Sequence, residues 1–269
     1  MHLPWSWVSW LSCIWYIVLF YTGVTEVTST MRTEMEVADF ESASHYKIVQ
    51  RCKKCDGKEP TCGCVTRHRL IVNAYEACVP RDFWFIIPED ISHNTRIFRE
   101  VVTPYCQRVA LARVRGYGLA LLGDNGVGKT MFMSYVLMKA ITAGYTAYYT
   151  TLPNLDWNMK RSFNVMSIGE RLHTMLTSDF LAIDEMGKEK FKAGDTYMRM
   201  QVERILKERF DDSMPTLIAT NGDLDAIEAA YGTTISSILR GKYRVVTMEP
   251  GDFRKQLSEK MAQEMGYNG

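Results

Sequence analysis

The chain carries almost no net charge: 32 basic side chains against 31 acidic ones leave a formal +1. Whole-molecule charge therefore gives no long-range steering, and any affinity for nucleic acid has to come from local patches. Cysteine is missing beyond Cys106, and the total of seven is odd, with four crowded between residues 52 and 64. That usage argues against a secreted disulfide scaffold and for a reducing compartment. Charge is missing altogether from Pro4 to Tyr21, an apolar and aromatic run that includes Trp5, Trp7, Trp10 and Trp15. A run of about 18 such residues is long enough to span a bilayer. No Lys or Arg precedes it, however, so the basic flank of a signal peptide or of a positive-inside anchor is lacking. The expectation is a translation start at Met31 or Met35, after which the composition turns soluble; a single membrane anchor and a buried or partner-binding helix are the alternatives. Internal repeats and low-complexity tracts are also absent.

What remains is an ordinary globular composition, 46% hydrophobic and 23% charged, in 269 residues. This length holds one good-sized domain and a small extra module. The expected organisation is an apolar segment over 1–30, a cysteine-bearing module over 31–95 and a larger domain over 96–269. Between Ile97 and Arg115 the apolar residues Phe98, Val101, Val102, Val109, Leu111 and Val114 predict a helix leading into that domain, bent at Pro104. From Gly116 onward, short apolar runs alternate with amphipathic stretches. Tyr117–Leu122, Thr146–Thr151, Phe180–Ile183, Thr216–Thr220 and Arg244–Met248 read as strands. Thr130–Ala143, a stretch near Ile168–Leu176, and Tyr197–Phe210 read as helices. Continuously apolar strands alternating with helices predict an α/β fold whose parallel sheet is covered on both faces.

Gly123-Asp124-Asn125-Gly126-Val127-Gly128-Lys129-Thr130 fits G-x-x-x-x-G-K-[ST] without departure. Such a loop follows a strand and surrounds phosphate with backbone N–H groups, and the helix after it turns its positive end toward the anion. Lys129 is expected to reach the β and γ phosphates of ATP, and the Thr130 hydroxyl to hold Mg²⁺. Leu181-Ala182-Ile183-Asp184-Glu185 ends a buried-type strand in two carboxylates. Asp184 would stand beside the metal and Glu185 would polarise the attacking water, which implies hydrolysis rather than binding alone. Thr216–Thr220 ends at Asn221, in the crevice where open α/β sheets bind ligands. Asn221 there can sense the γ-phosphate or orient the water; before Gly222 it can also simply form a turn.

With these pieces in order the domain resembles the AAA+ family and, within it, the DnaC/IstB-type ATPases. The carrying residues are Gly123–Thr130, Ile183-Asp184-Glu185-Met186-Gly187, Pro215–Asn221, Ser236–Arg240 and Gly251-Asp252-Phe253-Arg254. The resemblance implies a P-loop AAA+ domain with a central parallel sheet and an ATP hydrolase activity. It implies that Asn221 is the sensor-1 residue and Arg254 a sensor-2-like arginine facing its own nucleotide. It suggests Arg240 as the arginine finger for a neighbouring subunit's ATP, with Arg244 as a rival.

Cys52, Cys55, Cys62 and Cys64 make C-x₂-C-x₆-C-x-C, four thiols at a spacing that suits tetrahedral Zn²⁺, with His68 able to replace Cys64. Around them Lys47, Arg51, Lys53, Lys54, Lys58, Arg67 and Arg69 form a basic patch. The family resemblance makes residues 47–80 a partner-docking module for a replicative hexameric helicase. Tyr148, Tyr149, Trp157, Lys160, Arg161 and Phe163 interleave aromatics with basic residues, as single-stranded DNA contacts do, although such residues are more often core or a solvated helix face. The expectation is therefore an ATP-dependent replication protein that loads a helicase onto DNA, in the cytoplasm of a bacterial or phage-infected cell. It would form a homo-oligomer when ATP-bound. An IstB-like transposition helper and a membrane-tethered ATPase switch are the alternatives.

Overall fold

In the computed structural model the described residues are 63–162, 166–187 and 196–252, followed by 254, 258, 259, 262, 263, 265 and 266. Helix α1, Gly63–Glu76, comes first. A helical run over 95–107, here α2, joins Thr95–Ile97, a π-helical stretch Phe98–Val102 and Thr103–Gln107. Helix α3 is Val109–Arg115. Strands β1 to β5 are Gly118–Leu122, Ala147–Thr151, Phe180–Met186, Thr216–Thr220 and Tyr243–Thr247. Helix α4, Lys129–Thr142, follows β1; α5, Leu152–Ser162, and α6, Met166–Thr177, follow β2; α7, Thr196–Asp211, follows β3. Helices α8, Leu224–Tyr231, and α9, Thr233–Lys242, lie between β4 and β5.

The five strands form one sheet in the order β2-β3-β4-β1-β5, and every pairing is parallel. Alternation along the strands sends their side chains into two hydrophobic clusters. Leu119, Leu121, Phe180, Ala182, Leu217 and Ala219 meet Met131, Phe132 and Val136 of α4. Leu181, Ile183 and Ile218 meet Met198, Val202 and Leu206 of α7 and Ile235 and Leu239 of α9. Both faces are thus covered, as a parallel sheet requires. All five strands stand within a few residues of their sequence reading; the central β3, β4 and β1 are almost wholly buried, as neighbours on both sides and cover on both faces require.

Three features differ from the sequence reading. The helix before β1 breaks at Arg108, whose φ of −115° and ψ of 28° leave the helical region, and not at Pro104. Pro104 sits in the first turn of Thr103–Gln107, where a missing N–H is tolerated. The preceding turn is already widened, with the Thr103 N–H donating to Phe98 O five residues back. Next, α1, α5, α8 and α9 were not read from the sequence. Asp223 caps α8 by accepting from the Ala226 N–H at 2.8 Å, a Ser/Thr/Asp/Asn-type start signal hidden behind the Asn-Gly turn. Finally, the expected boundary after residue 95 is not a break in packing. Ile71, Ala74, Ala77, Val79, Trp84 and Ile91 are buried in the same cluster as α4. Residues from Ile71 onward therefore pack into the same core as the sheet. The Trp84 indole is fixed there by donating to Val79 O at 2.8 Å.

Cys52, Cys55 and Cys62 lie outside the described residues; Cys64 is in α1, its side chain outside the description, and His68 is exposed on that helix. Pro4–Tyr21 also lies outside. Among the described residues no helix is long and apolar enough to cross a membrane.

Candidate nucleotide site

Strands β3, β4 and β1 are neighbours, so the segments that follow them emerge side by side at one end of the sheet. Leu122 of β1 is level with Thr220 of β4, and Met186 of β3 with the same Thr220. This register alone brings Gly123, Asn221 and the Asp184–Gly187 segment together, since adjacent strands lie about 4.8 Å apart. Parallel topology turns three motifs distant in sequence into one crevice.

The loop 123–128 is built to be tight. Gly126 and Gly128 take φ of +83° and +96°, a region costly for residues with a Cβ. A Cβ on Gly126 would also stand 2.5 Å from Asp252 Oδ1. Val127 pins the loop inward, buried at 1% exposure, and its carbonyl accepts from Asn94 Nδ2 at 3.1 Å. Asn94 also donates to Glu249 O at 3.2 Å and accepts from the Glu249 N–H at 2.7 Å. One buried side chain thus ties the loop to the segment after β5. Its φ of +53° is a conformation that Asn tolerates better than most residues.

Lys129 Nζ is held by Gly123 O at 2.6 Å, Asp124 O at 2.7 Å and Asn221 Oδ1 at 2.9 Å. Asn221 in turn donates through Nδ2 to Asn125 Oδ1 at 3.0 Å. Thr130, at the start of α4, donates through its hydroxyl to Asp184 Oδ2 at 2.6 Å. The Asp184 carboxylate is buried, and its other oxygen accepts from the Glu185 N–H at 2.7 Å.

Pairing between β3 and β4 is irregular between Ile183 and Met186, and Glu185 there takes φ of +61°. Bulges of this kind re-aim a side chain next to active sites. Asp184 and Met186 stay buried while Glu185 is only half-buried. The following Gly187, at φ +83°, donates its N–H to the Tyr231 hydroxyl at 3.1 Å, which fixes the exit of the bulge.

Hard oxygen donors at the metal position, Thr130 Oγ1 and Asp184 Oδ2, are of the type Mg²⁺ takes together with phosphate oxygens and water. The glycine cradle, the helix N-terminus and Lys129 suit a polyphosphate. The donor set therefore fits a magnesium–nucleotide pair. Among the described residues no group of three or more His, Cys, Asp and Glu is placed to hold a metal by itself.

The arginines fall elsewhere. Arg254 is exposed, with its backbone N–H donating to Asp252 Oδ1 at 3.0 Å, so it starts beside Gly126. Arg240 lies exposed near the end of α9 with Nη1 3.6 Å from Glu228 Oε2. Glu228 is itself anchored by Ser236, whose hydroxyl donates to the same oxygen at 2.5 Å. Arg244 is the second residue of β5 and lines a hollow with Tyr105, Arg108 and Tyr117. It is level with Leu119, three residues short of the strand end that feeds the loop.

The aromatic–basic grouping read as a DNA contact is dispersed. Tyr148 is core, at 7% exposure, against Leu152 and Leu181. Tyr149, on the opposite face, donates its hydroxyl to Asp184 Oδ2 at 2.9 Å. Period-two alternation along β2 separates the two rings. Trp157 is 54% exposed, and Lys160 is paired with Asp156 at 2.7 Å. The Arg161 side chain and Phe163 lie outside the described residues. Sequence reading missed both Asn94 and the tie from Tyr149 to Asp184, for which no local motif exists.

Residues 113–239 match the family described as IstB-like ATP binding protein. The chain is 25% identical over 115 residues to the replicative helicase loader DnaI of Bacillus subtilis (strain 168), covering 42% of this chain and 36% of that protein. It is 32% identical over 84 residues to an insertion sequence IS21-like ATP-binding protein of Bacteroides fragilis (strain YCH46), covering 31% of this chain and 42% of that protein. The matched region thus spans well under half the length of these relatives. Among solved structures, the DnaC helicase loader superposes with a TM-score of 0.55 at 18% identity, covering 63% of this chain and 100% of that one. The replication initiator DnaA bound to AMPPCP and single-stranded DNA gives 0.54 at 16% identity, covering 71% of this chain and 57% of that one. At these identities the two structures speak for the fold.

Proposed function

We propose that this chain, whose residues 113–239 form an IstB-like ATP-binding domain, hydrolyses ATP in order to load a replicative helicase onto DNA. The observation that supports hydrolysis best is the convergence of Lys129, Thr130, Asp184, Glu185 and Asn221 at one end of the sheet. Lys129 would exchange its carbonyl acceptors for phosphate oxygens, and Thr130 and Asp184 would hold Mg²⁺. The metal, when bound, would neutralise charge on the phosphates. Glu185, aimed by the bulge, would take a proton from the attacking water, and Asn221 would orient that water or feel the γ-phosphate. Arg240, which faces solvent rather than its own site, is suited to a neighbouring subunit in an ATP-bound homo-oligomer; Arg244 is the rival for that role. Arg254 would face its own nucleotide beside Gly126.

The loading role rests on the similarity to the helicase loader DnaI. In this reading the segment before Ile71, with Cys52, Cys55, Cys62 and Cys64 as Zn²⁺ ligands, contacts the helicase, and exposed Trp157 contacts single-stranded DNA. The second reading, a transposition helper that hands DNA to a transposase, is supported by the IstB-like family match and the IS21-like relative.

Affinity purification of the Glu185→Gln protein with ATP from its native cell separates the two. Recovery of a hexameric helicase supports loading. Recovery of a transposase without helicase overturns loading and leaves the ATPase chemistry standing. In the otherwise wild-type protein Arg240→Ala should abolish turnover with nucleotide binding intact, and unchanged turnover would exclude Arg240 as the finger.

A further inference from the structure

Asp184 is served by more donors than the P-loop and its own backbone provide. Oδ1 accepts from the Glu185 N–H at 2.7 Å, and Oδ2 accepts from both Thr130 Oγ1 at 2.6 Å and Tyr149 Oη at 2.9 Å. The two hydroxyl donors differ in their relation to a metal. Thr130 would itself be a ligand of Mg²⁺ and can keep its O–H bond to the carboxylate, whereas the Tyr149 phenol donates to the same oxygen from outside the metal's ligands. Tyr149 is therefore the donor that holds Oδ2 independently of the P-loop.

The phenol is unusually well anchored. Among the described residues its strand, β2, is the edge of the sheet, with Tyr149 level with Ala182 of β3. On the open side the Tyr149 N–H donates to Ala77 O at 2.7 Å. Ala77 belongs to the segment just after α1 and is buried at 4% exposure, so the strand edge is capped by the residues entering from the N-terminal side. The ring packs half-buried against the cluster around α4.

We propose that Tyr149 is a positioning residue for the magnesium of the nucleotide site, acting through Asp184 and anchored from outside the sheet by the Ala77 carbonyl. The inference rests on the ATP-binding reading of the site. A hydrogen bond from outside the metal's own ligands fixes the ligand's orientation, and its loss weakens metal affinity without touching the nucleotide's phosphate cradle. A tyrosine that merely fills the core would instead influence folding stability alone.

The test is a Mg²⁺ titration of fluorescent ATP-analogue binding to the full chain, comparing wild type, Tyr149→Phe and Tyr148→Phe. Phe keeps the ring and removes one oxygen, so the fold is retained and is checked by Tm. Tyr149→Phe is expected to raise the Mg²⁺ concentration at half-effect on the order of 10-fold, with metal-free nucleotide affinity unchanged. Tyr148→Phe, on the other face of β2, should leave that midpoint where it was. An unmoved midpoint in Tyr149→Phe, in a wild type that binds the analogue in a Mg²⁺-dependent way, overturns the inference alone. A wild type with no Mg²⁺-dependent binding, indistinguishable from Lys129→Ala, overturns the ATP-binding reading and the inference with it.

Discussion

Lys129 Nζ and Asn221 Oδ1 stand 2.9 Å apart although 92 residues separate them in the chain. The contact exists because β4 and β1 are adjacent and parallel, so the residues after their last positions share one edge. Asn221 supplies the ammonium with a side-chain acceptor, and the carbonyls of Gly123 and Asp124 supply two more. Replacing Asn221 with Ala should therefore leave ATP affinity within a few-fold. If Asn221 serves the transition state, turnover should fall by about 10²-fold or more. Lys129→Ala should instead weaken binding itself. Nucleotide binding and single-turnover hydrolysis measured side by side distinguish these outcomes, and an Asn221→Ala protein with full turnover excludes a catalytic role.

Glu185 occupies a backbone position that few residues with a Cβ accept, at φ +61°. Strain kept at a bulge beside Asp184 is consistent with a side chain whose direction matters. Glu185→Gln preserves size and hydrogen bonding while removing the base. Hydrolysis should drop by about 10²–10⁴-fold, the usual share of a general base. ATP should stay bound and intact, as seen by chromatography of the nucleotide released on denaturation. Recovery of ADP at the wild-type rate would remove Glu185 as the catalyst.

The sheet was legible in the sequence because burial on both faces demands unbroken apolar runs, and Leu119–Leu122 or Phe180–Ile183 can be little else. P-loop, acid pair and Asn221 were legible for a related reason, since each closes one of those runs. Helices α8 and α9 were not, because they are short and begin on a cap and a glycine rather than on a long amphipathic stretch. Helix α1 was hidden by the cysteines at its start, although Leu70, Ile71 and Ala74 already recur at helical spacing. The break at Arg108 was missed because Pro104 is the louder signal. Asn94 and Tyr149 illustrate a different limit. Their partners Glu249 and Asp184 lie 155 and 35 residues away, and no pattern along the chain records which side chains a fold will bring into contact.

Asn94 permits a quantitative check. Asn94→Ala leaves the Glu249 N–H and the Val127 carbonyl without this partner, at a cost of about 1–3 kcal/mol for buried groups. Placing a Cβ-bearing, non-Asn residue at φ +53° adds strain on the order of 1–2 kcal/mol. Asn94→Gly removes the same hydrogen bonds but accepts the backbone. Both variants should melt earlier than wild type, Ala earlier than Gly, and both should bind ATP more weakly because the loop loses its tie. Equal melting of Ala and Gly would show that the left-handed backbone contributes nothing.

Asp179 predicts a pH dependence far from the nucleotide. Its carboxylate accepts from Arg113 Nε at 2.6 Å and from the Thr146 N–H and hydroxyl at 3.0 and 2.9 Å, tying α3 to the start of β2. Desolvation works to raise its pKa, but the bonds from Arg113 and Thr146 outweigh it and hold the group below its ordinary value. A carboxylate whose pKa is depressed in the folded state stabilises it fully above the unfolded value of about 3.9, and loses that contribution as pH falls through the folded value. Asp179→Asn should therefore cost no more than about 1 kcal/mol at neutral pH, since the pair is partly solvated. The gap between wild type and variant should stay constant down to about pH 5 and close only below about pH 4. Raised salt should narrow the part owed to Arg113 and spare the part owed to Thr146. Urea unfolding of both proteins across this range checks the sign. A gap that widened on acidification would mean the carboxylate is strained in the fold, and that the three donors do not compensate for its burial.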